Sequence, residues 1–392
     1  MPTGIRRIGV LTSGGDAPGL NAVLRAVVKT AEIEYGWKVV GIQDGFEGLL
    51  TPPHICNLGL EDVRGLLPRG GTILGSTNKG HFSTTMVDGV PTRDPAPYRE
   101  IAQNMRRLGM DALVVIGGEG SQGIASEFSK YGIRAVGVPK TIDNDLYGSD
   151  RTFGFDTALF VATDAIDRLH TTAASHDRVM VLEVMGRHAG WIALHAGLGG
   201  GADIILIPEI PFRMEAVASK VLAREFQGSK FSIIVVAEGA SVAGGSEMYV
   251  DQRSARLGGI GHYVADEIAR RTGKDARVVV LGHLQRGGAP TPYDRILATR
   301  FGCAAVREIA AGNFGQIVVL RGGELSTISM EEAAGKVKLV PTESEGITAA
   351  RGLGIAFGDE HVDTLEESHD LPEVPALHHN GLEGIPSDRV EE

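Results

Sequence analysis

At 392 residues, with 43% hydrophobic and 22% charged content, the chain has the make-up of a globular protein large enough for two domains or one large one. Its net charge of −11 is local: eleven acids and one base, Arg389, lie between Asp359 and Glu392, so the remainder is near neutral and does not repel an anionic substrate. With 5% aromatic residues, no basic run and no apolar run near ~18 residues, the composition excludes a stacking platform for nucleic acid, a basic membrane face and a membrane span.

Residues 5–12 read as a buried strand that runs into Ser13-Gly14-Gly15-Asp16-Ala17-Pro18-Gly19. A helix follows, because Leu20, Val23, Leu24, Val27, Val28 and Ala31 fall on one helical face. Strand, glycine turn and helix present backbone N–H groups and a helix N-terminus to a phosphate. The turn lacks the lysine of a P-loop and the spacing of a dinucleotide fingerprint, so a tight turn without a ligand is the competing reading. Residues 38–42 form a second strand, and 44–97 are irregular. In that stretch Asn78 and Lys79, in a glycine-rich turn, either reach a phosphate or sit on a solvated surface.

Residues 97–108 suit a helix and 112–116 a buried strand, closed by Gly117-Gly118-Glu119-Gly120-Ser121 before another helix. Glu119 beside bound phosphates makes sense only with a cation between them. The strand at 133–138 leads into Pro139-Lys140-Thr141-Ile142-Asp143-Asn144-Asp145. A Thr-x-Asp-x-Asp loop at a strand end can hold a divalent cation, take a proton and bind a sugar hydroxyl; alternatively it is an Asx-turn whose carboxylates bond nearby amides. Beyond it, 157–172 is helical, and the strand at 178–184 ends in Met185-Gly186-Arg187, a cation among small residues that suits an anion or an interdomain ion pair. Further strands are expected at 203–207, 231–237 (with Glu238 at its end), 276–281 and 316–320, and a helix at 290–311. After about Lys338 the pattern fails, and 359–392 read as a mobile acidic tail. The alternation predicts parallel sheets covered on both faces, with functional-looking residues gathered at strand carboxyl ends. Cys56 and Cys303 have no metal or redox spacing and read as reduced thiols; with no signal-peptide pattern at the start, a cytoplasmic location is expected.

Leu11 to Gly19, Gly117 to Ser121, Thr141 to Asp145, Met185 to Arg187 and Gly282-His283-Leu284-Gln285-Arg286-Gly287-Gly288 occur in this order in one chain. Together they resemble the 6-phosphofructokinase family over about residues 5–320. The resemblance implies an α/β fold of two Rossmann-like parallel-sheet domains with a cleft between them: 1–154 with 285–335 for the phosphoryl donor, 155–284 for the sugar phosphate, and 340–392 as an extension. It implies ATP-dependent phosphorylation of fructose 6-phosphate at its 1-hydroxyl, a glycolytic step. Gly14, Gly118, Gly120 and Ser121, with Asn78 and Lys79, would line the donor. Glu119, where many members have Asp, would help hold Mg²⁺. Asp143 would be the base, assisted by Thr141 and Asp145, and Arg187 would stabilise the transferring phosphoryl group. Arg178, Arg277, His283 and Arg286 would bind the sugar phosphate and Glu238 a sugar hydroxyl, with Ile142, Met185, Gly186, Leu284 and Gln285 completing the set. Arg178 and Arg277 would come from a neighbouring subunit, so a homo-oligomer, dimer or tetramer, is implied.

Two positions bear on the donor. Gly120 matches the ATP users, because an Asp there would crowd and repel a nucleotide's α-phosphate. Lys140 matches the pyrophosphate users, although a mixed-substrate branch also carries it. Steric exclusion is the harder constraint, so ATP is expected and pyrophosphate is the alternative. Of the family's allosteric basic residues, Arg25 and Lys29 are matched, while His170 stands where an Arg is usual. Other readings are a non-catalytic sugar-phosphate-binding relative and a kinase acting on sedoheptulose 7-phosphate.

Overall fold

The computed structural model describes residues 4–77, 80–82, 85–87, 90–245, 249–251 and 256–361. In chain order the first half contains β1 (Arg7–Thr12), α1 (Leu20–Tyr35), β2 (Lys38–Ile42), β3 (Ile55–Leu58), β4 (Thr85–Val87), β5 (Val90–Thr92), α2 (Pro95–Arg107), β6 (Ala112–Gly117), α3 (Glu119–Ser126) and β7 (Ala135–Pro139). Then come α4 (Phe155–His176), β8 (Val179–Val184), α5 (Trp191–Gly199), β9 (Ile204–Leu206), α6 (Met214–Phe226), β10 (Ser232–Ala237), β11 (Tyr249–Asp251) and β12 (Arg256–Leu257). The chain continues through α7 (Ile260–Thr272), β13 (Ala276–Val280), α8 (Pro292–Ala311), β14 (Gln316–Arg321), β15 (Glu324–Ser329), α9 (Met330–Ala333) and α10 (Glu345–Gly352).

A seven-stranded sheet has the order β15-β14-β7-β6-β1-β2-β3, parallel except for its two edge strands. Its central strands are apolar throughout because both faces are covered. On one face Val10, Val114 and Val136 meet Val23 and Val27 of α1 and Phe301 and Ala305 of α8. On the other, Leu11, Leu113 and Val115 meet Tyr98, Ile101 and Met105 of α2 and Phe128. The second sheet, β13-β8-β10-β9, is fully parallel. It packs α4 and α5 on one face and α6 and α7 on the other. Fully buried Asp294 joins the starts of α4 and α8, accepting the Thr157 N–H (2.8 Å) and hydroxyl (2.6 Å).

Two expectations need correction. The chain does not lose its structure after Lys338: Val340, Ile347, Ala350 and Phe357 are buried against the second sheet's helices, α10 forms, and the Ala356 carbonyl accepts the Ile205 N–H at 2.9 Å. Nor do the strands end with 316–320, the last of those expected, since β15 turns back along β14. Of the expected mobile tail, 359–392, Asp359 is held by Arg351 at 2.7 Å, and 362–392 lie outside the described residues. Among the described residues no helix is long and apolar enough to cross a membrane.

Candidate functional site

Parallel strands leave their carboxyl ends on one edge, and the first sheet uses that edge to assemble two glycine turns and an acidic loop. The Ser13 N–H bonds the Ile116 carbonyl (2.9 Å) and the Lys140 N–H the Gly117 carbonyl (3.0 Å), so the exits of β1, β6 and β7 are stitched side by side. Gly14 has φ +80°, and its missing Cβ would lie 3.4 Å from both Lys140 Nζ and Ser121 Oγ. At Gly117 a Cβ would stand 2.3 Å from that of Ser121, so only glycine lets α3 begin there. The first turn of α3 opens on a cleft of about 720 Å³ that Gly14, Gly118, Gly120 and Ser121 line. A helix N-terminus with free N–H groups is a natural anion seat.

The acidic loop forms the other wall. The Thr141 hydroxyl accepts the Asp143 N–H at 3.1 Å, and Asn144 takes a left-handed φ of 54° while its Oδ1 accepts the Thr152 N–H at 3.1 Å. These bonds hold the turn without the Asp143 carboxylate, whose Oδ1 is buried and has no hydrogen-bond partner among the described residues. At Asp143 the turn is thus closed by the Thr141 hydroxyl, where an Asx-turn would use the carboxylate. Burial, then the charge of Asp145, push the Asp143 carboxyl up to about 7, against the pull of Arg286 and Lys140. Lys140, 4% exposed, donates to the Gly15 carbonyl; burial and then Arg286 bring its ammonium down to about 8.

Residues from the second sheet's carboxyl edge approach the same region. Gly186 has φ +139°, its carbonyl accepts the Gly239 N–H at 3.1 Å, and a Cβ on Gly239 would lie 2.0 Å from the Arg187 carbonyl. The Glu238 carboxyl is raised by burial and by Glu183, and held back by Arg286 and Arg187. Arg286 crosses the gap: its Nη1 donates to the Asp16 carbonyl at 3.1 Å, over Gly15, and its charge is felt by Asp143, Lys140 and Glu238 alike. Gln285 differs from the expectation of a substrate contact. It is 0% exposed, and its Oε1 accepts the Met185 N–H at 2.8 Å, so it positions the Met185-Gly186-Arg187 turn from behind. His283 and Leu284 are exposed on the same short turn, while Ile142 is buried in the core beneath the loop.

Arg178 and Arg277 are not brought to this cleft. Arg178 precedes β8 whereas Met185 follows it, a separation of roughly 20 Å at ~3.3 Å per residue. Both arginines instead pair with Asp275, at 2.7 Å and 2.5 Å. Asn78 and Lys79 lie outside the described residues. Sequence reasoning missed Phe46, Phe82 and Ile124, which give the cleft an apolar stretch, because they come from the irregular segment and from inside α3. It also missed Gly335, whose N–H donates to Glu119 Oε1 at 3.0 Å.

The phosphofructokinase family model matches residues 7–309. The chain belongs to the phosphofructokinase family. It is 64% identical over 355 residues to the ATP-dependent 6-phosphofructokinase of Chloroflexus aggregans, covering 91% of this chain and 98% of that one. It is 53% identical over 342 residues to the pyrophosphate–fructose 6-phosphate 1-phosphotransferase of Amycolatopsis methanolica, covering 86% and 97%. Among solved structures, phosphofructokinase from Saccharomyces cerevisiae superposes with a TM-score of 0.73 at 32% identity, covering 84% of this chain and 45% of that longer one. The two-sheet architecture described above is thus a phosphofructokinase fold.

Proposed function

We infer that the protein transfers the γ-phosphoryl group of ATP to the 1-hydroxyl of fructose 6-phosphate. One observation supports this most: a buried carboxylate with an unpartnered oxygen, Asp143, on the wall of a cleft whose other wall is two glycine turns. Phosphoryl transfer asks a protein for placement and charge neutralisation more than for covalent chemistry. The glycine turns and the α3 N-terminus would seat the donor's phosphates, and Phe46, Phe82 and Ile124 offer its base an apolar surface that pyrophosphate would not need. Asp143 would take the proton from the sugar hydroxyl, and Arg187 would stabilise the transferring group. Glu238 and Arg286 would hold the sugar. In this reading the first sheet carries the donor half and the second the sugar half.

The site's residues fit Mg²⁺. Among the described residues no three acidic, His or Cys side chains form a ready-made metal cage. Mg²⁺ does not need one, since it keeps waters and takes one or two carboxylates together with substrate phosphates. Glu119 and Asp145, hard oxygen ligands lining the cleft, would hold it. The ion would neutralise charge on the donor.

Pyrophosphate is the second reading, favoured by the buried Lys140 against the Gly14–Gly15 turn and by the similarity to the Amycolatopsis enzyme. Gly120 weighs the other way: a Cβ there meets nothing within 4 Å, leaving room beside the cradle for a nucleotide. Initial rates with each donor decide. ATP is expected to support turnover, and turnover with pyrophosphate alone would replace this reading by the second.

Because Arg178 and Arg277 sit far from the Asp143 cleft of their own chain, a neighbouring subunit would supply their counterparts to the sugar phosphate. Arg178→Ala and Asp143→Asn chains should each be nearly inactive alone. Refolded together, they should recover activity at sites that combine the intact arginine of one chain with the intact aspartate of the other. No recovery in mixed oligomers would place both residues in one chain's site.

A further inference from the structure

The family match ends at residue 309, yet the chain returns after α9 and crosses the functional site. Residues 335–340 have no regular secondary structure, and several of their polar groups are bonded to the site's own elements. The Gly335 N–H donates to Glu119 Oε1 at 3.0 Å. Val337 bridges Leu146, and the Lys338 N–H donates to the Asp145 carbonyl at 2.7 Å. The Lys338 side chain turns to the same loop further on, with Nζ donating to the Ser149 and Asp150 carbonyls at 2.7 and 3.0 Å. On its other side the segment is bound to the second sheet's layer. The Trp191 indole donates to the Lys338 carbonyl at 2.8 Å, and the Val340 N–H donates at 2.8 Å to Glu209, whose carboxylate also accepts the Gly190 N–H.

We propose that residues 335–340 act as a strap that holds Glu119 and the 143–152 loop in register with the second sheet, and that Lys338 is its positioning residue. The proposal rests on the reading of Glu119 and the Asp143 loop as donor and catalytic machinery. Its physical basis is that the 143–152 loop, closed on itself by Asn144 and Thr152, reaches α4 without a regular ladder, so bonds from outside decide where the closed turn sits against the rest of the site. Lys338 supplies a half-buried cation to two adjacent carbonyls, and charge-assisted bonds of this kind are the stronger ones. Its amine lies over the Trp191 ring, 5.2 Å from the centroid, which couples the loop to the start of α5. The strap thus fixes the metal-side acid and the loop carrying the base with one short piece of chain, so loosening it would misplace both together. Small misplacements of this kind are costly to catalysis.

The test compares the full-length wild type with Lys338→Met, which keeps the stem and the backbone bonds but loses the ammonium, and Lys338→Arg, which keeps charge and donors. Hydrogen exchange without substrates should show amides of 144–152 exchanging on the order of 10-fold faster in K338M, the scale of a lost charged hydrogen bond, with β10 amides unchanged. In steady-state assays K338M should lose kcat and raise KM for the donor, each on the order of 10-fold, with KM for the sugar phosphate within about twofold. K338R should recover most of both. Unchanged exchange at 144–152, exchange raised equally in β10, or local loosening with normal kinetics would each overturn the proposal. A wild type without phosphofructokinase turnover would remove the functional reading instead, and the exchange measurement would still decide whether the strap exists.

Discussion

Asp143→Asn is expected to lower kcat by roughly 10²–10⁴-fold, the range for a positioned general base, and to leave KM for fructose 6-phosphate nearly unchanged. The substitution keeps size and hydrogen-bonding capacity and removes only the ability to accept the proton. The local turn should survive it, because Thr141, Asn144 and Thr152 hold the loop without the carboxylate. The same residue sets the pH dependence. A base works ionised, and burial with the neighbouring Asp145 lifts the Asp143 carboxyl to about 7. The wild type should therefore gain kcat/KM as pH rises through about 7 and lose it below, with the residual activity of Asp143→Asn lacking that limb. Turnover within a few fold of wild type in the variant, or a wild-type profile flat from mildly acid to neutral pH, would take the base role away from Asp143.

Much of this site was legible before any coordinates because its parts lie at the ends of central parallel strands. Such strands are buried on both faces and read as unbroken apolar runs, so β1, β6, β7, β8 and β10 and the residues that follow them stand out. The strands that escaped notice are those that break this rule. Edge strand β15 alternates polar and apolar residues, and β3 is a short edge piece in a glycine- and proline-rich stretch. Strand direction separates Arg178 and Arg277 from the cleft, since Arg178 precedes β8 and Arg277 is second in β13, at the amino ends of parallel strands whose carboxyl ends carry the site. What no pattern in the chain signals is the role of Gln285 and of the strap. A glutamine beside an arginine expected to bind phosphate looks like a contact, and only the structure reveals its full burial against the Met185 N–H. Residues 335–340 have no periodicity, because their backbone groups and the Lys338 ammonium bond to several different elements.

The use of ATP is expected to depend on the missing side chain at Gly120. Gly120 lies in the first turn of α3, does not use a left-handed φ, and would place a Cβ in open space, so the backbone accepts any small residue there without strain. Gly120→Asp should consequently fold as well as the parent. An added acid in a helix's first turn is mildly favourable, so the melting temperature should hold or rise slightly. Its effect falls on the ligand. The new carboxylate would enter the cleft beside the glycine cradle, where a nucleotide's phosphates must pass. Like charges brought together at a binding surface cost several kcal/mol, and each ~1.4 kcal/mol is a factor of ten. The expected result is a fall in kcat/KM for ATP of about 10²-fold or more, with much less change for any pyrophosphate activity, which has no α-phosphate to displace. Gly120→Ala separates charge from bulk: with nothing within 4 Å of its Cβ, it should keep most ATP-dependent turnover. If aspartate and alanine depress ATP use equally, bulk rather than charge governs the position. If aspartate leaves ATP use intact, the nucleotide does not run past Gly120 and the donor's path through the cleft must be redrawn.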